Sequence, residues 1–505
     1  MQQFDRIIPT TMGTQHPDHA GIPYWHHEAF IPAAREVTEC FLSFSELGMT
    51  EYMWDWEGKM VDEAVLDRLF IEYSEYFQQH PIGKEKFLTF RLPNPKVEME
   101  YRLGRAFTGM MSASALARHM QYAHHPLFEV ILPMTETAEE MISVQEAFRE
   151  LASLTHPLLK FGETSFTHIE LIPLFETISE IASVDIILSA YVDLHMKRFG
   201  FKPAYIRPFL ARSDPALNAG LLPTVLSIKI ALSKLDYFEK KTGIPVFPIL
   251  GAAALPFRGG LTPYTVEEFM NEYAGIRTTT IQSGFKYDFP KEDVIRGIDQ
   301  LNTGLGTGNA QHITPQEEEV LRSCMNTGEA LYKRTVETIA PVINTIAGYL
   351  PRRRERVQHV GLFGYSRGVG TVKLPRAIGF TAALYSLGIP PELIATGRTL
   401  SIARNDGSLP IIEKYYRNLS SDIRNTARYI NFDVVEHLAK EVSGFASILD
   451  DIHALEEYAG YDFGPVSDEE KEYKTITDSI YTQLQKGSLS SEYIERAALL
   501  RKSLG

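Results

Sequence analysis

Apolar runs of six to eight residues return along the chain, each bounded by polar or turn-forming positions and followed by a longer stretch with helical periodicity. The runs are TEYMWD (50–55), FLTFRL (87–92), FEVILPM (128–134), HIELIPLF (168–175), AYIRPFL (204–210), PVFPILG (245–251), TTTIQS (278–283) and HVGLFGYS (359–366). Runs of this length, rich in β-branched and aromatic residues, read as buried strands. Eight strands alternating with helices predict an α/β fold of the (β/α)8, TIM-barrel type.

Polar positions carry the second signal. In such a barrel the C-terminal strand ends form the active-site face. Here those ends carry Asp55, Glu57, Arg91, Glu136, Glu176, Arg212, Asp214, Arg258 and Arg367. A barrel built for stability alone has no need of such groups, so the pattern points to an enzyme that handles an anionic substrate with a divalent metal.

Helix starts can be placed from capping chemistry. Thr177-Ile178-Ser179-Glu180 reads as a capping box directly after Glu176, and Thr265 with Glu268 as another just after Arg258-Gly259-Gly260. Asp214 before Pro215 reads as an N-cap. Residues 1–45 read as a loop leading into a helix near 28–47, and 46–375 as the barrel with a helical insertion at about 284–356. That insertion opens at the helix start Thr314-Pro315-Gln316-Glu317. From residue 376 to 505 the chain reads as a helical C-terminal region packed on the barrel.

Composition narrows the class. A net charge of −14 argues against nucleic acid as a partner, because a phosphate backbone is met by a basic face. No long uncharged apolar stretch predicts a membrane span and no basic-then-apolar leader is present, so a soluble cytoplasmic protein is expected. The two cysteines, Cys40 and Cys324, have no metal-ligand spacing and read as buried small hydrophobes.

Several residues hold candidate chemistry beside a plainer role. Glu176 and Asp214 end consecutive predicted strands and offer the hard oxygen ligands that Mg2+ or Mn2+ prefers; a dipole partner and an N-cap are the plainer readings. Arg258 with Gly259 and Gly260 couples a guanidinium fork to backbone that can approach an anion closely, or forms a salt bridge beside an ordinary turn. Arg367 and Arg376 repeat the theme after the last predicted strand. The run RRRER at 352–356 reads as a solvated charged face. His16 is held off any helix by Pro17 and can titrate near neutrality as an acid or base. GLGTG at 304–308 lacks a preceding strand and reads as a loop.

Together the segments TMGTQHPD (11–18), EYMWDWEGK (51–59), FRLPNPKVE (90–98), LIPLFET (171–177), FRGGLTP (257–263) and GYSRGVGTVKLPRAI (364–378) resemble the archaeal-type phosphoenolpyruvate carboxylases. The longer bacterial and plant enzymes share islands with this chain. Their TAHPT segment is similar to TQHPD and points to His16, and their PLFET points to Glu176. Their YSDSxKDAG is similar to ARSDPALNAG at 211–220 and points to Asp214, with Leu217 in place of the lysine. Their FHGRGG loop points to Arg258, with its second arginine unmatched, and their GSR and LRAIP segments point to Arg367 and Arg376.

The resemblance implies carboxylation of phosphoenolpyruvate with bicarbonate to oxaloacetate and phosphate, through carboxyphosphate and a metal-held enolate, in a homotetramer. His16, Arg258 and Arg367 are then catalytic, Arg91, Gly259, Gly260 and Arg376 bind substrate, and Glu176 and Asp214 hold Mg2+ or Mn2+. Trp54 and Trp56 are expected to keep water from the enolate. A Mg2+-dependent lyase or aldolase acting on a 2-oxo acid is the alternative, and a non-enzymatic regulatory barrel a third reading.

Overall fold

The computed structural model describes residues 6–57, 61–98, 100–122, 124–154, 166–355, 368–369 and 372–504. Eight parallel strands close into a barrel in sequence order: β1 (Thr11–Gly13), β2 (Glu51–Asp55), β3 (Phe87–Arg91), β4 (Glu129–Leu132), β5 (Glu170–Phe175), β6 (Phe209–Ala211), β7 (Ile249–Gly251) and β8 (Thr278–Ile281). The TIM-type barrel expected from the sequence is therefore present, with one strand reassigned. The run at 359–366 lies outside the described residues, and its place in the ring is filled by β1. Met12 on β1 pairs with Glu51 on one side and Thr280 on the other, which closes the ring.

Alternation along the strands sorts side chains between the barrel interior and the helix-facing shell. On β2, Glu51, Met53 and Asp55 share one face, and Tyr52 and Trp54 share the other. Met53 joins Met12, Ile131, Ile172, Leu174, Phe209, Ala211 and Ile249 in the apolar plug of the interior. Tyr52 and Trp54 pack outward in the larger core beneath the helices.

Below the plug, at the N-terminal ends, Arg207 is fully buried between two carboxylates. Its Nη2 lies 2.7 Å from Glu51 Oε2 and 3.1 Å from Thr278 Oγ1, and its Nη1 lies 2.6 Å from Glu129 Oε2. Tyr205 donates to Glu129 at 2.6 Å. Conserving charge balance inside the floor of the barrel is a structural task, since chemistry in this fold sits at the opposite face.

Five helices frame the site. They are α1 (Glu36–Ser45), α2 (Ser213–Ala219), α3 (Leu221–Thr242), α4 (Ser283–Tyr287) and α5 (Pro315–Ala347). The helix start expected at Thr314 is present and is closed by a capping box: its hydroxyl accepts from Glu317 N at 3.3 Å and Glu317 accepts back from Thr314 N at 3.1 Å. Thr177 likewise accepts from Glu180 N at 3.3 Å. Thr265 does not cap its helix as expected, because its hydroxyl is spent on the glycine turn, donating to Gly260 O at 2.7 Å and accepting from Thr262 N at 2.9 Å. Asp214 is not an N-cap either. Arg212 occupies that position and Asp214 lies within the first turn of α2.

From α6 (Ala377–Tyr385) onward the described elements are helical. These helices share an apolar core with α2, α3 and α5, and Leu217 is buried in it. Phe380 stacks on Phe257 with ring centres 5.9 Å apart, and Glu392 accepts from Phe257 N at 3.0 Å. The C-terminal region is thus packed against the loop that follows β7. Both cysteines are buried and unpaired, as expected. No helix among the described residues is long and apolar enough to cross a membrane.

Candidate active site at the C-terminal mouth of the barrel

A cavity of about 550 Å3 opens at the C-terminal strand ends. Its lining gathers His16, Arg91, Asp214, Arg258 and Arg376, drawn from segments up to 360 residues apart in sequence. Glu176 does not line it directly. It is buried between the end of β5 and the Thr177 cap, close enough for its charge to act on Arg91. Arg367 lies outside the described residues.

The loop after β1 brings His16 to the cavity. His16 Nδ1 is 2.7 Å from Thr14 Oγ1, a contact that fixes the ring. Gln15 is buried beside it, donating to Glu36 Oε2 at 2.6 Å and accepting from Asp55 N at 2.9 Å. Asp18 accepts from Gly284 N at 3.1 Å and faces Arg258. Burial raises the Asp18 carboxyl above its ordinary value, against the opposing charge of Arg258.

Arg258 is 1% exposed and held from three sides. Its Nε donates to Ser213 Oγ at 3.0 Å, its Nη2 to Gln282 Oε1 at 2.6 Å, and its Nη1 lies 3.6 Å from Asp18 Oδ2. Burial pulls its pKa down, and the charges of Asp18 and Asp214 oppose that shift. The glycines beside it, expected to bind substrate, do not line this cavity. Gly259 has φ 129°, and a Cβ there would meet Ala252 Cβ at 2.8 Å, so the residue lets the turn close on β7. Gly259 and Gly260 line a separate cavity of about 230 Å3 on the far side of the loop, with Arg428 and Arg501. Arg212, another strand-end arginine, also serves this turn, donating to Phe257 O and Pro256 O at 3.1 Å each.

Arg91 already has partners on β2. It forms a fork on Asp55, with Nε–Oδ1 and Nη2–Oδ2 both 2.7 Å, and reaches Glu57 Oε2 at 3.0 Å. Arg376 stands 3.8 Å from Glu57 Oε1 with its side chain one-third exposed. Glu136 is exposed and paired with Lys96, away from the cavity. Trp54 and Trp56 are core residues outside the lining, because strand alternation turns Trp54 outward. The apolar part of the wall comes instead from Pro17, Phe30, Leu350, Ala377, Ile378 and Leu504.

In the run at 352–356, Arg352 and Glu355 are exposed as expected and Arg356 lies outside the described residues, but Arg353 and Arg354 depart from the expected role. Arg353 and Arg354 are buried, at 6% and 3% exposure, and line the cavity. Arg354 forks onto Glu39, with Nη1–Oε2 and Nη2–Oε1 both 2.7 Å, and reaches Glu36 Oε1 at 3.1 Å. Burial alone raises the Glu39 carboxyl, but Arg354 and Lys286 overcome it and hold the group far below the ordinary carboxylate range. The acid partners that hold Arg354 inward lie on α1, more than 300 residues away.

Glu176 and Asp214 end the adjacent strand units of β5 and β6, whose register pairs Phe175 with Leu210. Two carboxylates at neighbouring strand ends suit Mg2+ or Mn2+, which commonly takes two acids and leaves its other positions to substrate and water. No group of three or more His, Cys, Asp or Glu placed to hold a metal ion occurs among the described residues.

Comparison with known proteins places this architecture. The family model described as phosphoenolpyruvate carboxylase matches residues 8–505. Proteins named phosphoenolpyruvate carboxylase from Oenococcus oeni, Metallosphaera sedula and Pyrococcus horikoshii are 39%, 36% and 37% identical to it. The alignments cover 100%, 99% and 89% of this chain and 100%, 100% and 95% of theirs. Among solved structures, a malate synthase of Haloferax volcanii is 10% identical with a TM-score of 0.36, covering 68% of this chain and 95% of that one. The chain belongs to the phosphoenolpyruvate carboxylase family.

Proposed function

We infer that the chain carboxylates phosphoenolpyruvate with bicarbonate, giving oxaloacetate and phosphate. The observation that carries this reading beyond family membership is the convergence of His16, Asp214, Arg258 and Arg376 on one cavity at the C-terminal mouth. A substrate with a carboxylate and a phosphoryl group needs fixed cationic forks, and Arg258 is fixed by three partners.

Glu176 and Asp214 would hold Mg2+ or Mn2+, which when bound supplies Lewis-acid polarisation and a template for the substrate oxygens. Arg258, with Arg376 and Arg367, neutralises the phosphoryl group as a bicarbonate oxygen attacks phosphorus, giving carboxyphosphate and the enolate of pyruvate. His16 takes the proton of carboxyphosphate as it splits to CO2 and phosphate. Thr14, 2.7 Å from Nδ1, orients the ring that moves that proton. The enolate carbon then attacks CO2. The apolar wall keeps water from protonating the enolate to pyruvate. We also propose a homotetramer, which light scattering reads directly.

The reading is tested by an oxaloacetate assay with and without bicarbonate and divalent metal. Product that requires both supports carboxylation. Cleavage or condensation of a 2-oxo acid without bicarbonate would transfer the site to the lyase and aldolase class.

A further inference from the structure

Four backbone carbonyls of the loop that carries His16 each meet a buried cation from a distant part of the chain. Lys286 Nζ donates to Thr14 O at 3.0 Å, Arg354 Nε to His16 O at 3.3 Å, and Arg353 Nε to His19 O at 3.0 Å. Arg353 Nη2 also reaches Ala20 O at 3.4 Å. Neutral carbonyls are weak reasons to bury charge, so the cations are balanced elsewhere. Glu39 takes both Lys286 (2.7 Å) and the Arg354 fork, while Tyr287 donates to it at 2.7 Å. Arg354 is also tied to Glu36 at 3.1 Å and to Ser283 Oγ at 2.9 Å.

We propose that Arg354 is a positioning residue for His16. Its guanidinium is locked on α1 and α4 by Glu39, Glu36 and Ser283, and the remaining Nε–H fixes the His16 carbonyl. Pro17 limits the backbone on the other side, and the Arg354 and Thr14 contacts act on the same residue to place the imidazole. A lysine does not replace it: an ammonium can hold one carboxylate oxygen and one carbonyl, as Lys286 does, but has no planar fork to serve Glu39, Glu36, Ser283 and the His16 carbonyl together. The proposal rests on the role given to His16 above, and it has a consequence for partition. A displaced imidazole leaves phosphoryl transfer from phosphoenolpyruvate intact and slows the release of CO2, so the enolate is lost as pyruvate.

The test compares Arg354→Lys and the milder Glu36→Gln with His16→Asn, using full-length protein. Two readouts are taken: the ratio of pyruvate to oxaloacetate, and the His16 imidazole signal in protein labelled at histidine, assigned by its loss in His16→Asn. The expected result for Arg354→Lys is a fall in oxaloacetate of about 10- to 100-fold, the scale of a small misplacement, with bicarbonate-dependent phosphate release retained. The His16 signal shifts and its titration midpoint moves, while the exposed His453 is unchanged. Glu36→Gln shows the same signature more weakly. The proposal is overturned if the His16 signal stays in place in both variants, or if both products fall together, as loss of fold alone requires. If the signal moves but His16→Asn itself leaves the product ratio unchanged, the positioning stands and the acid–base role of His16 falls.

Discussion

Asp18 Oδ2 and Arg258 Nη1 stand 3.6 Å apart, with both side chains withdrawn from solvent. Asp18 follows His16 by two residues on the loop after β1, and Arg258 begins the glycine turn after β7. The pair therefore ties together the loops after β1 and β7, which are separated in the ring by β8 alone. Because Arg258 also holds Ser213, next to Asp214, it couples the histidine loop, the acid pair and the glycine turn.

That three-way hold makes Arg258 intolerant of lysine. Arg258→Lys keeps the charge and loses the planar fork, so Ser213, Gln282 and Asp18 cannot all be kept. Both Arg258→Lys and Arg258→Ala are expected to lose about 2–4 kcal/mol of transition-state stabilisation, read as kcat/KM. Near-normal turnover in the lysine variant would reduce Arg258 to a nearby charge.

Metal dependence is expected to follow the acid pair. Glu176→Gln and Asp214→Asn preserve shape and remove ligand charge, so each should fold normally and bind Mn2+ more weakly by titration calorimetry. Activity should fall by several orders of magnitude and recover in part with excess Mn2+. Undiminished Mn2+ binding in both variants contradicts the assignment.

Buried His19 gives the site loop a pH limit. Burial, reinforced by Arg354, lowers its pKa to about 3, so it is neutral in the folded protein. The unfolded chain takes up the proton near the ordinary value of 6.5, so the stability from neutral His19 is complete above about pH 6.5 and lost as pH falls toward 3. His19→Asn can keep a donor to Gly21 O, which lies 2.9 Å from His19 Nδ1, and removes the titration. Between pH 7 and pH 4 the wild type should lose about 3 kcal/mol more stability than this variant by denaturant unfolding. Parallel pH profiles contradict the assignment.

Much of the barrel was legible because its strands are buried on both faces and read as continuous apolar runs, as in LIPLF of β5 and EVIL of β4. The strand β1 was not. Three residues, TMG, carry one large apolar side chain, and their membership is decided by pairing with Glu51 and Thr280, which local pattern cannot reveal. His16, Asp214, Arg258 and Arg376 were readable from family motifs and strand-end position, and the structure brings them to one cavity. Arg353 and Arg354 were not readable, since a charged run has the same appearance whether it faces water or distant carboxylates. Gly259 and Gly260, expected to bind substrate, line a different cavity from Arg258, and which face of the turn they present is not foreseeable from their order.

The barrel floor should separate stability from chemistry. Arg207→Met leaves Glu51 and Glu129 buried without their shared cation and is expected to destabilise by about 3–5 kcal/mol. At temperatures where the variant is folded, KM for phosphoenolpyruvate should match the wild type. A changed KM with unchanged unfolding would place Arg207 in the site's electrostatics.

The most direct test follows oxygen from 18O-bicarbonate in His16→Asn. If His16 acts after phosphoryl transfer, oxaloacetate falls by about 10²–10⁴-fold, the usual scale for a positioned acid or base, while bicarbonate-dependent phosphate release continues and pyruvate appears. One bicarbonate oxygen is then found in the released phosphate. Unlabelled phosphate, or equal loss of phosphate and oxaloacetate, contradicts a carboxyphosphate route in which His16 handles the second step.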